Sequence, residues 1–153
     1  MDYSGFFDVD FPIYTHARFL PPSKLLNTKV EEAMICDGCI IKSAEIKNSI
    51  VGIRSRIEGH TNIENTLVMG ADIYQSDRER AQDLQAGKPP VGIGMQTVIR
   101  NAIIDKNARI GKNVQIINKD NIRKAEHEDK GYWIRNGIVV VLKNAVIPDG
   151  TVI

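Results

Sequence analysis

From Val30 onward the branched aliphatic residues follow neither of the two common periods. They stand at Val30, Ile35, Ile41, Ile46, Val51, Ile57, Ile63 and Val68, five or six residues apart. An amphipathic helix would place them three and four apart, and a half-buried strand two apart. A second block, Val98, Ile104, Ile110 and Ile116, and a third, Val141, Ile147 and Ile153, repeat at six. Between these positions the chain is polar and rich in Asn and Gly, which accept positive φ at little cost and so suit tight turns. Each unit, for example Ile104-Asp-Lys-Asn-Ala-Arg or Ile147-Pro-Asp-Gly-Thr-Val, therefore predicts one short strand followed by one turn.

Three such units close one coil of a triangular prism, with the aliphatic residue of each pointing to the axis. Successive coils then stack at the ordinary strand separation of about 4.8 Å. Two interior rows follow directly: Val30 over Ile46 over Ile63, and Ile35 over Val51 over Val68. The slightly short coil period in the first block requires some corners to be tighter than others. The predicted fold class is all-β: a left-handed parallel β-helix of hexapeptide repeats, with short helical and loop insertions. Three separate blocks at this spacing argue against a sandwich of short strands.

The solenoid is expected over 27–153, interrupted by excursions at 74–92 and 118–134. In the first, Ser76 to Gly87 reads as a short helix with Ser76 as its cap, Gly87 at its end and Pro89-Pro90 preventing continuation. The second, Asn118 to Tyr132, is charged and aperiodic and reads as a loop, partly helical around Ile122 to His127. Residues 1–26 do not repeat; they read as a linker or the end of a preceding domain, with an edge strand at Phe11-Pro-Ile-Tyr-Thr and a stiff connector at Phe19-Leu-Pro-Pro-Ser-Lys.

Composition narrows the functional classes. Twenty Lys and Arg face 19 Asp and Glu, so the chain lacks the basic excess that bulk binding of nucleic acid or an anionic membrane needs. An anion site must be a local cluster. No apolar run approaches the roughly 18 residues of a membrane span, and the acidic, aromatic start MDYSGFFDVDF does not resemble a signal peptide. Cys36 and Cys39 form a single C-x-x-C, half of a zinc site at most, and read as two small side chains in a turn with Cys39 packed inward. His60, in the turn Glu-Gly-His-Thr-Asn, is the histidine a hexapeptide acyltransferase would use as general base; in a turn it is more simply a solvated side chain.

Several non-repeat words add to this pattern: Arg18-Phe-Leu-Pro-Pro-Ser-Lys, Ser49-Ile-Val-Gly-Ile-Arg-Ser-Arg, Met69-Gly-Ala-Asp with Tyr74, Val91-Gly-Ile-Gly, Ala102-Ile-Ile-Asp-Lys-Asn-Ala-Arg-Ile-Gly, Ile116-Ile-Asn-Lys-Asp-Asn and Gly137-Ile-Val-Val-Val. Through them the chain resembles the carboxy-terminal region of the plant and cyanobacterial type of ADP-glucose pyrophosphorylase (glucose-1-phosphate adenylyltransferase). The resemblance implies a regulatory and oligomerisation domain of an enzyme that makes ADP-glucose and pyrophosphate from ATP and glucose 1-phosphate, for glycogen or starch synthesis. It implies no catalytic residues and no cofactor in this segment; Mg²⁺ and ATP belong to the family's nucleotidyltransferase domain, whose Gly-rich phosphate loop has no counterpart here. The implied partners are that catalytic domain, other subunits of a homo- or heterotetramer, and phosphorylated metabolites. The implied location is the bacterial cytoplasm or the plastid stroma.

The resemblance also assigns effector residues. Lys106 and Lys143 match the family's activator lysines, which respond to 3-phosphoglycerate, and Arg18 matches an arginine linked to inhibition by orthophosphate. Arg54, Arg56 and Arg109 are further basic candidates. Lys106 follows Ile104 by two positions and Lys143 follows Val141 by two. If their coils are neighbours the two ammonium groups approach, repel, and are relieved by a bound phosphate. That adjacency depends on the excursion at 118–134 preserving coil register.

Overall fold

The structure, a computed structural model, describes residues 20–153. The expected edge strand at 11–15 and Arg18 lie outside the described residues. Short strands follow one another around a three-sided solenoid. The first coil is β1 (Lys24–Leu26), β2 (Lys29–Glu31) and β3 (Met34–Ile35); the second is β4 (Ile40–Lys42), β5 (Glu45–Lys47) and β6 (Ile50–Val51). The third is β7 (Arg56–Ile57), β8 (Asn62–Glu64) and β9 (Leu67–Val68), after which helix α1 (Asp77–Gln85) leaves the stack. The fourth is β10 (Gly92–Ile93), β11 (Val98–Arg100) and β12 (Ala102–Ile104). The fifth begins with β13 (Arg109–Ile110) and β14 (Gln115–Ile116), detours through β15 (Lys124–His127) and β16 (Tyr132–Arg135), and resumes at β17 (Ile138–Val141); β18 (Val146–Ile147) opens a sixth. Every third strand pairs in parallel with its predecessor, so the first face runs β1-β4-β7-β10-β13-β18, the second β2-β5-β8-β11-β14 and the third β3-β6-β9-β12-β17.

Both predicted rows are present: Val30, Ile46 and Ile63 are in register on the second face, and Ile35, Val51 and Val68 on the third. A third row on the first face stacks Ile41, Ile57, Ile93, Ile110 and Ile147. Apart from Val30, which is exposed, and Ile35, which packs partly buried against the others, these side chains and their neighbours form one continuous buried core. Full burial of one such aliphatic side chain contributes about 1.5–3 kcal/mol. Cys39 is buried in the same core, as the turn reading expected, and both cysteines are free thiols.

Two expectations are corrected. The strict six-residue spacing placed Val98 on the axis, whereas Ile99 is the buried residue, aligned with Ile63 and Ile116, and Val98 faces outward opposite Asn62 and Gln115. The cause is the corner between the second and third faces. It turns on one residue in the left-handed region, Asn48, Asn65 and Asn101 at φ of 46°, 50° and 52°, so the aliphatic gap across that corner is five (Ile46 to Val51, Ile63 to Val68, Ile99 to Ile104). The three asparagines hydrogen-bond as a ladder, Asn48 Nδ2 donating to Asn65 Oδ1 and Asn65 Nδ2 to Asn101 Oδ1.

The second correction concerns residues 122–127, where no helix forms. Lys124-Ala-Glu-His and Tyr132-Trp-Ile-Arg make an antiparallel hairpin around a 3₁₀ turn at Glu128–Lys130, and β16 pairs antiparallel with β17. Pairing to the edge of β17 buries Ile134 against Val139, a gain that a lone polar helix of one or two turns cannot match. The first excursion forms as expected: Ser76 Oγ accepts from the Glu79 N–H, and Glu79 returns a bond to the Ser76 N–H in a full capping box.

Candidate functional site at the corner between the third and first faces

The detour through the hairpin preserves register. β12 pairs with β17 with Ile104 opposite Val141, and the following turns remain stacked: the Asp105 N–H donates to the Val141 carbonyl at 2.9 Å and the Asn144 N–H to the Lys106 carbonyl at 3.0 Å. Asn107 and Asn144 occupy the same left-handed corner position, at φ of 62° and 61°. Lys106 and Lys143, each the residue before that asparagine, therefore hold equivalent places on successive coils of one corner, as the spacing alone suggested.

The corner also carries a carboxylate that sequence reasoning did not assign. Asp72 leaves the third coil just before the first excursion. Its backbone N–H donates to Asn107 Oδ1 at 2.9 Å, Asn107 Nδ2 donates back to Asp72 Oδ2 at 3.0 Å, and Lys106 Nζ lies 3.3 Å from Asp72 Oδ1. The Asn107 hydrogen bond above all, then that of Lys106 and the charges of Lys106 and Lys143, hold the Asp72 carboxyl below the usual carboxylate range. It is ionised at neutral pH and gives Lys106 a counter-charge, while Lys143 projects from the exposed next coil. Asp72 belongs to the word Met69-Gly-Ala-Asp, but its tie to residues 35 positions later arises only when the coils stack.

The three further basic candidates have other occupations. Arg54 Nη1 donates to the Ala71 carbonyl at 3.3 Å, and its guanidinium stands 5.8 Å from the centre of the Tyr74 ring, whose hydroxyl donates to the Gly38 carbonyl. Arg56 is bonded to Glu58 at 2.7 Å, and Arg109 bridges Asp83 of α1 and the Pro89 carbonyl. Gln75 first and Arg109 next hold Asp83 below its ordinary range. Arg109 thus fastens the α1 excursion to the first face, and Arg56 pairs within its own coil with Glu58, the carboxylate that Arg80 of α1 also reaches; neither joins the two lysines. His60 sits exposed at a corner with its backbone N–H donated to the Ser43 carbonyl. Among the described residues no group of three or more His, Cys, Asp or Glu is arranged to hold a metal ion, and no helix is long and apolar enough to cross a membrane.

The outward rows of the faces differ in kind. The second face presents Lys29, Glu45, Asn62, Val98 and Gln115 in one row and Glu31, Lys47, Glu64 and Arg100 in another. The third presents Met34, Ile50, Leu67, Ile103, Val140 and Trp133, an unbroken apolar row across six strands. Residues 18–152 match the family model of the GLGC left-handed parallel beta-helix domain.

Proposed function

From the premise that the chain belongs to the GLGC left-handed parallel β-helix family, the carboxy-terminal β-helix of ADP-glucose pyrophosphorylase, we propose that it is the enzyme's effector-sensing and subunit-contact part. On this reading 3-phosphoglycerate and orthophosphate compete for the corner of Lys106 and Lys143, with Arg18 adding a planar guanidinium fork. The observation that carries it is the register of β12 on β17, which gives both lysines the same place on adjoining coils. An effector phosphate supplies the negative charge that two neighbouring ammonium groups lack, through charge-assisted hydrogen bonds. It must displace or outbid Asp72, so affinity is moderate by construction and an anion of higher charge is favoured. Control of adenylyl transfer then requires that the effector bind two states of the assembled enzyme unequally. The bond-making chemistry belongs to the family's nucleotidyltransferase domain.

The test is thermal unfolding of the chain with and without 3-phosphoglycerate. Stabilisation is expected, about 2.7 kcal/mol at a hundredfold excess over the dissociation constant. Lys143→Ala and Lys106→Ala should abolish the shift, and Asp72→Asn should enlarge it by removing the competing carboxylate. No shift in the parent chain, or one that survives both lysine replacements, would sink the effector reading.

The apolar third face supports the subunit-contact half of the proposal. Leu67 is 37% exposed there amid Ile50 and Ile103, a row that monomeric surfaces seldom leave uncovered. Leu67→Lys combined with Ile103→Lys is expected to reduce self-association or assembly with catalytic subunits, read by sedimentation. Unchanged assembly would assign the contacts to another face.

A further inference from the structure

Between α1 and the outer side of the first face lies a cleft of about 440 Å³, within the size range of small-ligand sites. Its cationic wall is made by Arg56 and Arg80. Their side chains are only 23% and 14% exposed, and both reach the same oxygen, Glu58 Oε1, at 2.7 and 3.2 Å. Lys42 approaches the other oxygen of that carboxylate at 3.9 Å. Three cations thus share one carboxylate. Burial, and then repulsion from Arg56, push the Arg80 pKa down, against the opposing pull of Glu58, Asp77 and Asp83. A guanidinium has five N–H donors. Among the described residues Arg80 commits donors to Glu58 and to the Val91 carbonyl, and Arg56 commits its Nε to Glu58. Lys88 and Lys112 also line the cleft, making four cations against the two carboxylates of Glu58 and Asp149. The remaining wall is apolar, with Leu84, Pro89, Pro90 and Met95, of which the two prolines are stiff.

We propose that this cleft is a second ligand site, separate from the lysine corner, which takes an organic phosphate: the phosphate lies against Arg56 and Arg80, and a non-polar or ring-shaped body lies along Pro89, Pro90 and Met95. An anion here completes the charge balance of the Arg56–Glu58–Arg80 cluster. It also contacts α1 and the coils together, so occupancy clamps the excursion to the solenoid.

The probe is phenyl phosphate, titrated into the isotope-labelled chain while arginine Nε–H and glycine amide resonances are followed by NMR. Saturable shifts are expected at Arg80 and at Gly92, Gly94 and Gly111, with inorganic phosphate several-fold weaker and benzyl alcohol without effect. Arg80→Gln should abolish the response. Because that change also removes a tie to α1, Lys88→Gln with Lys112→Gln provides the second variant; it leaves the Arg80 and Arg109 bonds in place and should weaken phenyl phosphate several-fold. Lys143→Ala should leave this titration unchanged, which separates its outcome from that of the effector reading. Shifts confined to the Lys106 and Lys143 corner, no saturable shift at Arg80, an inorganic phosphate response equal to that of phenyl phosphate, or an unweakened double variant would each overturn the proposal.

Discussion

Ile99→Ala is expected to lower unfolding stability by about 2–5 kcal/mol, while Val98→Ala, one residue away, should cost less than about 1 kcal/mol. Ile99 is wholly buried in the second-face row between Ile63 and Ile116, and Val98 points outward between Asn62 and Gln115. Truncating Ile99 removes its transfer free energy and leaves a void that close-packed neighbours above and below cannot collapse into. The stability of a stacked solenoid is roughly a sum over coils and their interfaces, so damage in the fourth coil weakens its contacts with both the third and the fifth. Urea denaturation followed by circular dichroism measures both variants. Equal costs would mean that the six-residue period, not the five-residue corner, sets the interior row.

Gly94→Ala is expected to be strongly damaging although it changes only a single hydrogen to a methyl. A Cβ at Gly94 would fall on the carbonyl oxygen of Gly111 and lie 2.9 Å from the Lys112 nitrogen, all backbone of the next coil. Side chains can rotate away from an added methyl; a stacked backbone cannot, so the fourth and fifth coils must separate. A cost of about 1–3 kcal/mol or more follows, and the hydrogen bond from the Gly94 N–H to the Ile110 carbonyl, 2.9 Å long, is strained with it. Gly59→Ala is the control. The nearest atoms to its added Cβ stand 4.0 Å away, and removing the conformational freedom of glycine from the unfolded chain makes that change neutral or slightly stabilising. Melting temperatures of the two variants should therefore move apart; a Gly94→Ala protein as stable as its parent would show that the coils are not held at backbone contact.

How far the residues alone disclosed this protein is seen at particular positions. The rows Ile35-Val51-Val68 and Ile46-Ile63 could be read directly, because an aliphatic residue recurring every five or six positions has few ways to be buried other than along one axis. The capped helix at Ser76 was equally open, since a capping box is a local device needing only residues within one turn. A six-residue period puts Val98 on the axis because it does not allow for the five-residue gap at the Asn101 corner, and a corner's length matters only once a neighbouring coil must align with it. The hairpin at 124–135 was hidden for a related reason: its strands are stabilised by the free edge of β17, which lies later in the chain.

The candidate site divides along the same line. Spacing placed Lys106 and Lys143 at equal positions in their units, and family resemblance attached an effector role to them. Only the stacked structure put their coils side by side, brought Asp72 across 35 residues to Asn107, and drew Arg109 away to hold α1. What the chain determined by itself is the one-dimensional rhythm of strand and corner, because burial of an aliphatic residue and the left-handed preference of Asn and Gly are properties of a few consecutive residues. Which charges meet was decided by the number of residues each coil consumes, since a charge pair forms between coils, and one residue more or less in a corner brings a different side chain opposite its partner.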